Sequence, residues 1–181
     1  MRPTPRWLAP IAVRTWMKSA VVTVRPDAPV GDAAALMRRK KIRHLPVVAG
    51  GGGLVGIVTD RDLRQVIFDP AILEGADPGG ALETLTVREI MTWGVVTVRP
   101  GTDIREAAFL MHERKIGALP VVVGGRVVGI LSERDVLRAL EEVLRSHVTT
   151  VRPLVERAAG EDYEYGFAPP ASGAEEGGAP G

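Results

Sequence analysis

The sequence of 181 residues contains no cysteine. That excludes disulfide frameworks, iron–sulfur clusters, cysteine-ligated zinc and thiol catalysis. The three histidines, His44, His112 and His147, are scattered, which argues against a histidine-rich metal site. Aromatic residues make up only 4% of the chain, and the formal net charge is +1. So near-neutral a balance removes the global electrostatic case for nucleic acid or an anionic membrane as partner. No apolar run has the length needed to span a bilayer. The opening MRPTPRWLAP is interrupted by prolines and an arginine where a signal peptide carries its apolar stretch, so a cytoplasmic protein is expected. What the chain does have is an ordinary apolar content, 45%, enough to fold around a core. Its length suits one large domain or two small ones.

An internal repeat settles which of these to expect. Residues 17–48, MKSAVVTVRPDAPVGDAAALMRRKKIRHLPVV, align without a gap on residues 91–122, MTWGVVTVRPGTDIREAAFLMHERKIGALPVV, and about half the positions are identical. The match resumes where LVGIVTDRDL (54–63) lies against VVGILSERDV (127–136). A unit of about 50 residues is in the range of structural repeats. In each copy VVTV reads as a β-branched strand stopped by Pro26 or Pro100. Apolar residues at helical spacing follow: Val30, Ala33, Ala34 and Met37, then Ile104, Ala107, Ala108 and Met111. Asp32 and Glu106 fall in the first turn of these helices, where negative charge suits the dipole. Next come two strands, joined in the second copy by a Gly124-Gly125 turn and in the first by the looser AGGGG. A second helix closes each unit, with Val136, Leu140, Val143 and Leu144 as its apolar stripe in the second copy. The predicted order is β-α-β-β-α, twice, a mixed α/β (α+β) fold with the repeats packed about a pseudo-twofold axis. Residues 1–14 form an N-terminal extension, 15–68 the first repeat, 69–88 a Gly/Pro-rich linker, 89–147 the second repeat, and 148–181 a flexible acidic, Gly/Pro-rich tail.

Two copies of LPVV followed by G-h-h-[ST]-x-x-D resemble a pair of CBS domains, the tandem called a Bateman module. The carrying residues are Leu45-Pro46-Val47-Val48 with Gly56-Ile57-Val58-Thr59-Asp60-Arg61-Asp62, and Leu119-Pro120-Val121-Val122 with Gly129-Ile130-Leu131-Ser132-Glu133-Arg134-Asp135. The resemblance implies a sensor module that binds an adenosine-containing ligand, such as AMP, ADP, ATP or S-adenosylmethionine, and that often pairs into a homodimer. The ligand would be regulatory, with no resident cofactor.

Taken physically, the [ST]-x-x-D motif follows a buried strand and opens a helix. Thr59 and Ser132 are N-cap residues there, and Asp62 and Asp135 fall at N3. A purely structural capping role accounts for them. The resemblance adds that the Asp contacts a ribose and the Ser or Thr a ribose or phosphate. Arg61 and Arg134 stand beside these residues and offer bidentate bonds to phosphate. In the basic run Arg38-Arg39-Lys40-Lys41, cations complement a helix C-terminus. Arg43 and His44 differ, because they lie in the turn before LPVV, which the resemblance places at the ligand cleft. The second copy has Gly117 and Ala118 there, so the two clefts are unequal.

The resemblance also implies that each cleft is composite. Cleft 1 combines Ser132, Arg134 and Asp135 with Lys18, Ser19, Ala20, Arg43 and His44. Cleft 2 combines Thr59, Arg61 and Asp62 with Thr92, Gly94, Gly117 and Ala118, with Trp93 beside them and expected to pack on the N-terminal segment. Cleft 1 is the more cationic and is expected to hold a phosphorylated ligand better. No nucleophile–base pair, metal cluster, P-loop or G-x-S-x-G appears in the sequence, so catalysis is not expected. The expectation is a regulatory module that passes a ligand signal to a protein partner. The alternative is a ligand-free dimerisation or scaffold protein on the same fold.

Overall fold

A computed structural model of the chain describes residues 10–68 and 83–147, with Ser146 and His147 given as backbone only. The first nine residues, most of the linker and the tail from 148 onward lie outside the described residues, and with them the expectations placed there. Among the described residues, those from 10 to 141 belong to one compact unit.

Each repeat is built around a helix, a β-hairpin and a second helix. In the first these are α1 (Val30–Lys40), β1 (His44–Val48), β2 (Leu54–Thr59) and α2 (Asp60–Ile67). A one-turn helix, α3 (Val87–Ile90), precedes the second, which contains α4 (Ile104–Arg114), β3 (Ala118–Val123), β4 (Arg126–Ser132) and α5 (Glu133–His147). The apolar spacing works as the periodicity predicts. Val30, Ala33 and Met37 of α1, and Ile104, Ala107 and Met111 of α4, are buried. Both helices end on a lysine in the left-handed region, Lys41 and Lys115, each at φ 53°. The antiparallel pairs β1–β2 and β3–β4 carry the LPVV segments, whose Leu45, Val47, Leu119 and Val121 are fully buried. Burying side chains of this kind stabilises by about 1.5–3 kcal/mol each. Gly124 and Gly125 turn the second hairpin at φ 57° and 76°, the paired positive values of a type I′ turn.

The predicted first strand is reduced to a single parallel bridge in each repeat, Val24 on Val47 and Val98 on Val121. The reason lies upstream. Lys18 exchanges both backbone hydrogen bonds with Ile130 of β4 (2.9 and 3.0 Å), so residues 18–24 cross from one hairpin to the other instead of running along either. Thr92 does the same with Ile57 of β2. The exchange extends to the cores. Val13, with Ile11, Trp16 and Met17, packs in the core of the second repeat, and Val87 and Met91 pack in that of the first. The N–H of Val13 donates to the Thr102 carbonyl (2.8 Å), and that of Val87 to Ala28 (2.9 Å). Each repeat's hydrophobic centre is therefore completed by the segment that leads into the other. The hairpins also meet directly, with the N–H of Leu54 donating to the Gly125 carbonyl at 3.0 Å.

The stripe expected on α5 holds in part: Val136 packs against the core of the second repeat, while Leu140 and Leu144 are exposed. The helix turns Asp135 and Ala139 inward, 3% and 2% exposed, while Leu140 is 52% exposed and Leu137 64%. The short Ala139 side chain lets the helix pack closely, which leaves the bulkier leucines outside.

Candidate functional site

The strand-to-helix corners of the two repeats share a cap-to-carboxylate pairing, and the first is a complete capping box. At the first, the Thr59 N–H and hydroxyl both donate to Asp62 Oδ2 at 2.8 Å, and the Asp62 N–H donates back to the Thr59 hydroxyl at 3.4 Å. At the second, the Ser132 N–H and hydroxyl donate to Asp135 Oδ2 at 2.9 and 2.5 Å. In both corners a single carboxylate oxygen, Oδ2, takes both bonds to the cap residue. The capping role is thus real, and the second carboxylate oxygen stands outside it. The corners differ in depth: Asp135 is buried, whereas Asp62 is half-buried.

The Lys18–Ile130 pairing brings the opening segment of the chain against the corner that holds Ser132 and Asp135. The turn before β1 closes the other side. There His44 lies against Gly117, with its Nε2 3.1 Å from where a Cβ would stand on that glycine. The result is a cavity of about 350 Å³ between the repeats. It is lined by Lys18, Ala20, Arg43, His44, Ser132, Arg134 and Asp135, which are predicted residues of cleft 1, and by Gly117. Ser19 is not among its lining residues. Gly117, predicted for cleft 2, lines this cavity because the two pre-strand turns meet where His44 crosses to the second repeat.

Six further lining residues, Ile42 among them, are not singled out by the sequence for this cleft. Val21, Val22 and Ile130 supply apolar wall, and Lys41 and Glu133 add charge. Ile130 and Glu133 were discoverable as neighbours inside the G-h-h-S-x-x-D motif. Lys41 was read only as a helix-end cation, and its left-handed backbone, which places it at the cavity, is not legible in its identity.

Four cations (Lys18, Lys41, Arg43 and Arg134) face two carboxylates (Glu133 and Asp135) around this space. Anions are therefore favoured at its rim. His44 is half-buried. Burial pushes its imidazole below the ordinary histidine value, and Arg43 adds to that, while Glu133, Asp62 and Asp60 oppose it. A volume of this size, part apolar and part charged, lies in the range of small-molecule sites.

The cleft 2 residues are arranged differently. Thr92 is held to Ile57 of β2, near the Thr59–Asp62 corner, by backbone hydrogen bonds of 3.1 and 2.9 Å. Arg61 and Gly94 are exposed, Gly94 at φ 65°, and Ala118 is buried in β3. Trp93 is 58% exposed, and residues 11–17 are engaged with the second repeat; the rest of the N-terminal segment lies outside the described residues. A separate cavity of about 740 Å³ lies beside the β3–β4 hairpin, lined among others by Arg99, Thr102, Glu106 and Gly124. It contains none of the predicted site residues.

A family model for the CBS domain matches residues 13–69 and 87–142. A CBS domain-containing protein of Dictyostelium discoideum is 34% identical over 136 residues, 74% of this chain and 94% of that one. The homoserine O-acetyltransferase of Methanohalobium evestigatum is 36% identical over 123 residues, 67% of this chain. The chain spans only 22% of that enzyme's length. Among solved structures, the CBS domain pair of protein MJ0100 in complex with 5′-methylthioadenosine and S-adenosyl-L-methionine is similar with a TM-score of 0.60. It is 28% identical, with 72% of this chain and 99% of that one covered. CBSX2 in complex with AMP is similar with a TM-score of 0.62 at 32% identity, with 73% and 97% covered.

Proposed function

Because this chain belongs to the CBS domain family, as a tandem pair, we propose that it is a non-catalytic regulatory module that binds an adenosine-containing ligand in cleft 1. The observation that carries this reading is the composite cavity, in which Asp135 and Ser132 of one repeat meet Arg43 and His44 of the other and Lys18 of the opening segment. Asp135 is placed to accept from ribose hydroxyls with the oxygen its cap leaves over. Val21, Val22 and Ile130 offer apolar contact to a base, and the cations a site for phosphate. Two similar pairs are described in complex with such ligands, AMP in one and S-adenosyl-L-methionine with 5′-methylthioadenosine in the other. The cationic rim favours the phosphorylated members of the class. The ligand is a regulator and not a resident cofactor. Binding shifts the population between packings of the two repeats, and a protein partner in the cytoplasm reads the change.

The test is a thermal-shift panel with AMP, ADP, ATP and S-adenosylmethionine on the wild type, Asp135→Ala and Asp62→Ala. Ligand at about 100 times its dissociation constant adds about 2.7 kcal/mol, a rise of several degrees. The reading requires a shift that Asp135→Ala removes and Asp62→Ala retains. The opposite pattern moves the site to cleft 2, and no shift with any ligand favours the scaffold.

The proposal includes self-association. Leu137 and Leu140, one turn apart on α5 and more than half exposed, are apolar surface that a second copy would cover. Light scattering on Leu137→Glu/Leu140→Glu is expected to give a monomer where the wild type gives a dimer.

A further inference from the structure

We propose that His44 is the residue that separates phosphate-bearing nucleotides from uncharged nucleosides in cleft 1, by taking up a proton from solvent as the phosphate enters and then donating from the charged ring to a phosphate oxygen. The inference rests on the nucleotide reading above and names what governs it.

The placement of the ring is the first support. Arg43-His44 and Gly117-Ala118 are equivalent turns that meet between the repeats, and only one of them carries an ionisable ring. His44 lines the cavity and lies against Gly117, where the absence of a side chain leaves room for it. The surroundings are the second. Its own turn brings Arg43, after Lys41 at the end of α1. The start of α2 brings Asp60 and Asp62. The start of α5 brings Glu133, with Arg134 and Asp135 beyond it, and the opening segment brings Lys18. Charges of both signs thus nearly offset one another, and burial favours the neutral ring. An arriving phosphate adds negative charge beside the half-buried ring, which favours the imidazolium. Adenosine brings no such charge and leaves the ring neutral.

The signs follow from linkage. Proton uptake on binding makes affinity for a phosphorylated ligand fall as pH rises, by up to about tenfold per pH unit between the ring's free and bound pKa values. Affinity for adenosine stays level over the same range.

The experiment is calorimetric titration of the full chain with AMP and with adenosine at about pH 6, 7 and 8, in two buffers of different ionisation enthalpy, for the wild type and His44→Asn. AMP's own phosphate titrates in both proteins, so the difference between them isolates the ring. The wild type is expected to take up more protons with AMP than the variant and to lose several-fold more affinity between the lowest and highest pH. Adenosine is expected to behave alike in both. Equal proton counts and equal pH profiles for AMP overturn the role of His44 while leaving the nucleotide reading intact. Failure of the wild type to bind AMP overturns the role of His44, and failure to bind S-adenosylmethionine as well overturns the ligand reading beneath it. An NMR titration of the His44 ring in the wild type needs no variant: its pKa must rise with saturating AMP and stay put with adenosine, and an unchanged value with AMP is a refutation.

Discussion

The sulfur of Met17 lies 2.5 Å from where a Cβ would stand on Gly129, and that of Met91 holds the same relation to Gly56. Each methionine opens one repeat and covers a strand glycine of the hairpin in the other. The exchange of leading segments is therefore locked by two matched contacts, and the same exchange delivers Lys18 to the cavity.

Filling those glycines should loosen the exchange. Gly129→Ala and Gly56→Ala are each expected to destabilise by about 1–3 kcal/mol, the usual cost of overpacking. Gly56 should be the less tolerant, because a Cβ there also meets the Thr92 carbonyl at 3.1 Å, and backbone yields less readily than a methionine tip. Urea denaturation of the two variants checks the order.

The left-handed lysines offer a gain. A non-glycine residue in this conformation costs about 1–2 kcal/mol relative to one without strain. Lys115→Gly should raise stability by a fraction of that, since glycine also loses more entropy on folding. Lys41→Gly should stabilise similarly but weaken nucleotide binding, because Lys41 lines the cavity. Melting temperature and ligand affinity, measured together on both variants, separate the effects.

Removing a cap hydroxyl separates its structural role from its role at the cavity. Thr59→Ala and Ser132→Ala should each cost about 0.5–2 kcal/mol. Only Ser132→Ala should also reduce ligand affinity, a difference that calorimetry on the two folded variants resolves.

Charge at the cavity rim should matter most for the most charged ligand. Lys18→Ala and Arg43→Ala each remove a candidate for a charge-assisted bond of about 1.5–3 kcal/mol, which corresponds to about tenfold or more in affinity. The loss should be greater for ATP than for AMP and absent for adenosine. Equal losses for all three would count against phosphate contact.

Asp103 carries an acid-dependent part of the stability. Its carboxylate caps α4 by accepting from the Arg105 N–H and Nε at 2.9 Å and from the guanidinium terminus at 2.6 Å. The Arg105 side chain holds it below the ordinary aspartate value. A lowered folded-state pKa means the contribution is present above the ordinary value and is lost as pH falls through the lower one. Asp103→Asn should be less stable than wild type at about pH 7, with the gap closing at about pH 2–3, as read from urea midpoints at both.

Much of the fold was legible because it is written locally. The buried positions of α1 and α4 follow from apolar residues one turn apart, the cap-to-carboxylate pairings from Ser or Thr three residues before Asp, and the second hairpin from Gly124-Gly125. The repeat made each of these readings twice. The α5 stripe holds at Val136, which packs on the core, and fails at Leu140 and Leu144, since periodicity groups apolar residues on one face and cannot show that Asp135 and Ala139 centre the inner one.

By itself the sequence determined the main helices and the hairpins, the pairing of cap with carboxylate in each corner, and the inequality of Arg43-His44 against Gly117-Ala118. All of these depend on residues close together in the chain. Only the tertiary structure decided that residues 11–18 complete the second repeat, that His44 reaches across to Gly117, and that Asp135 is buried while Asp62 stays half-open. Those outcomes rest on contacts between distant segments, whose energies come from packing that no local pattern encodes.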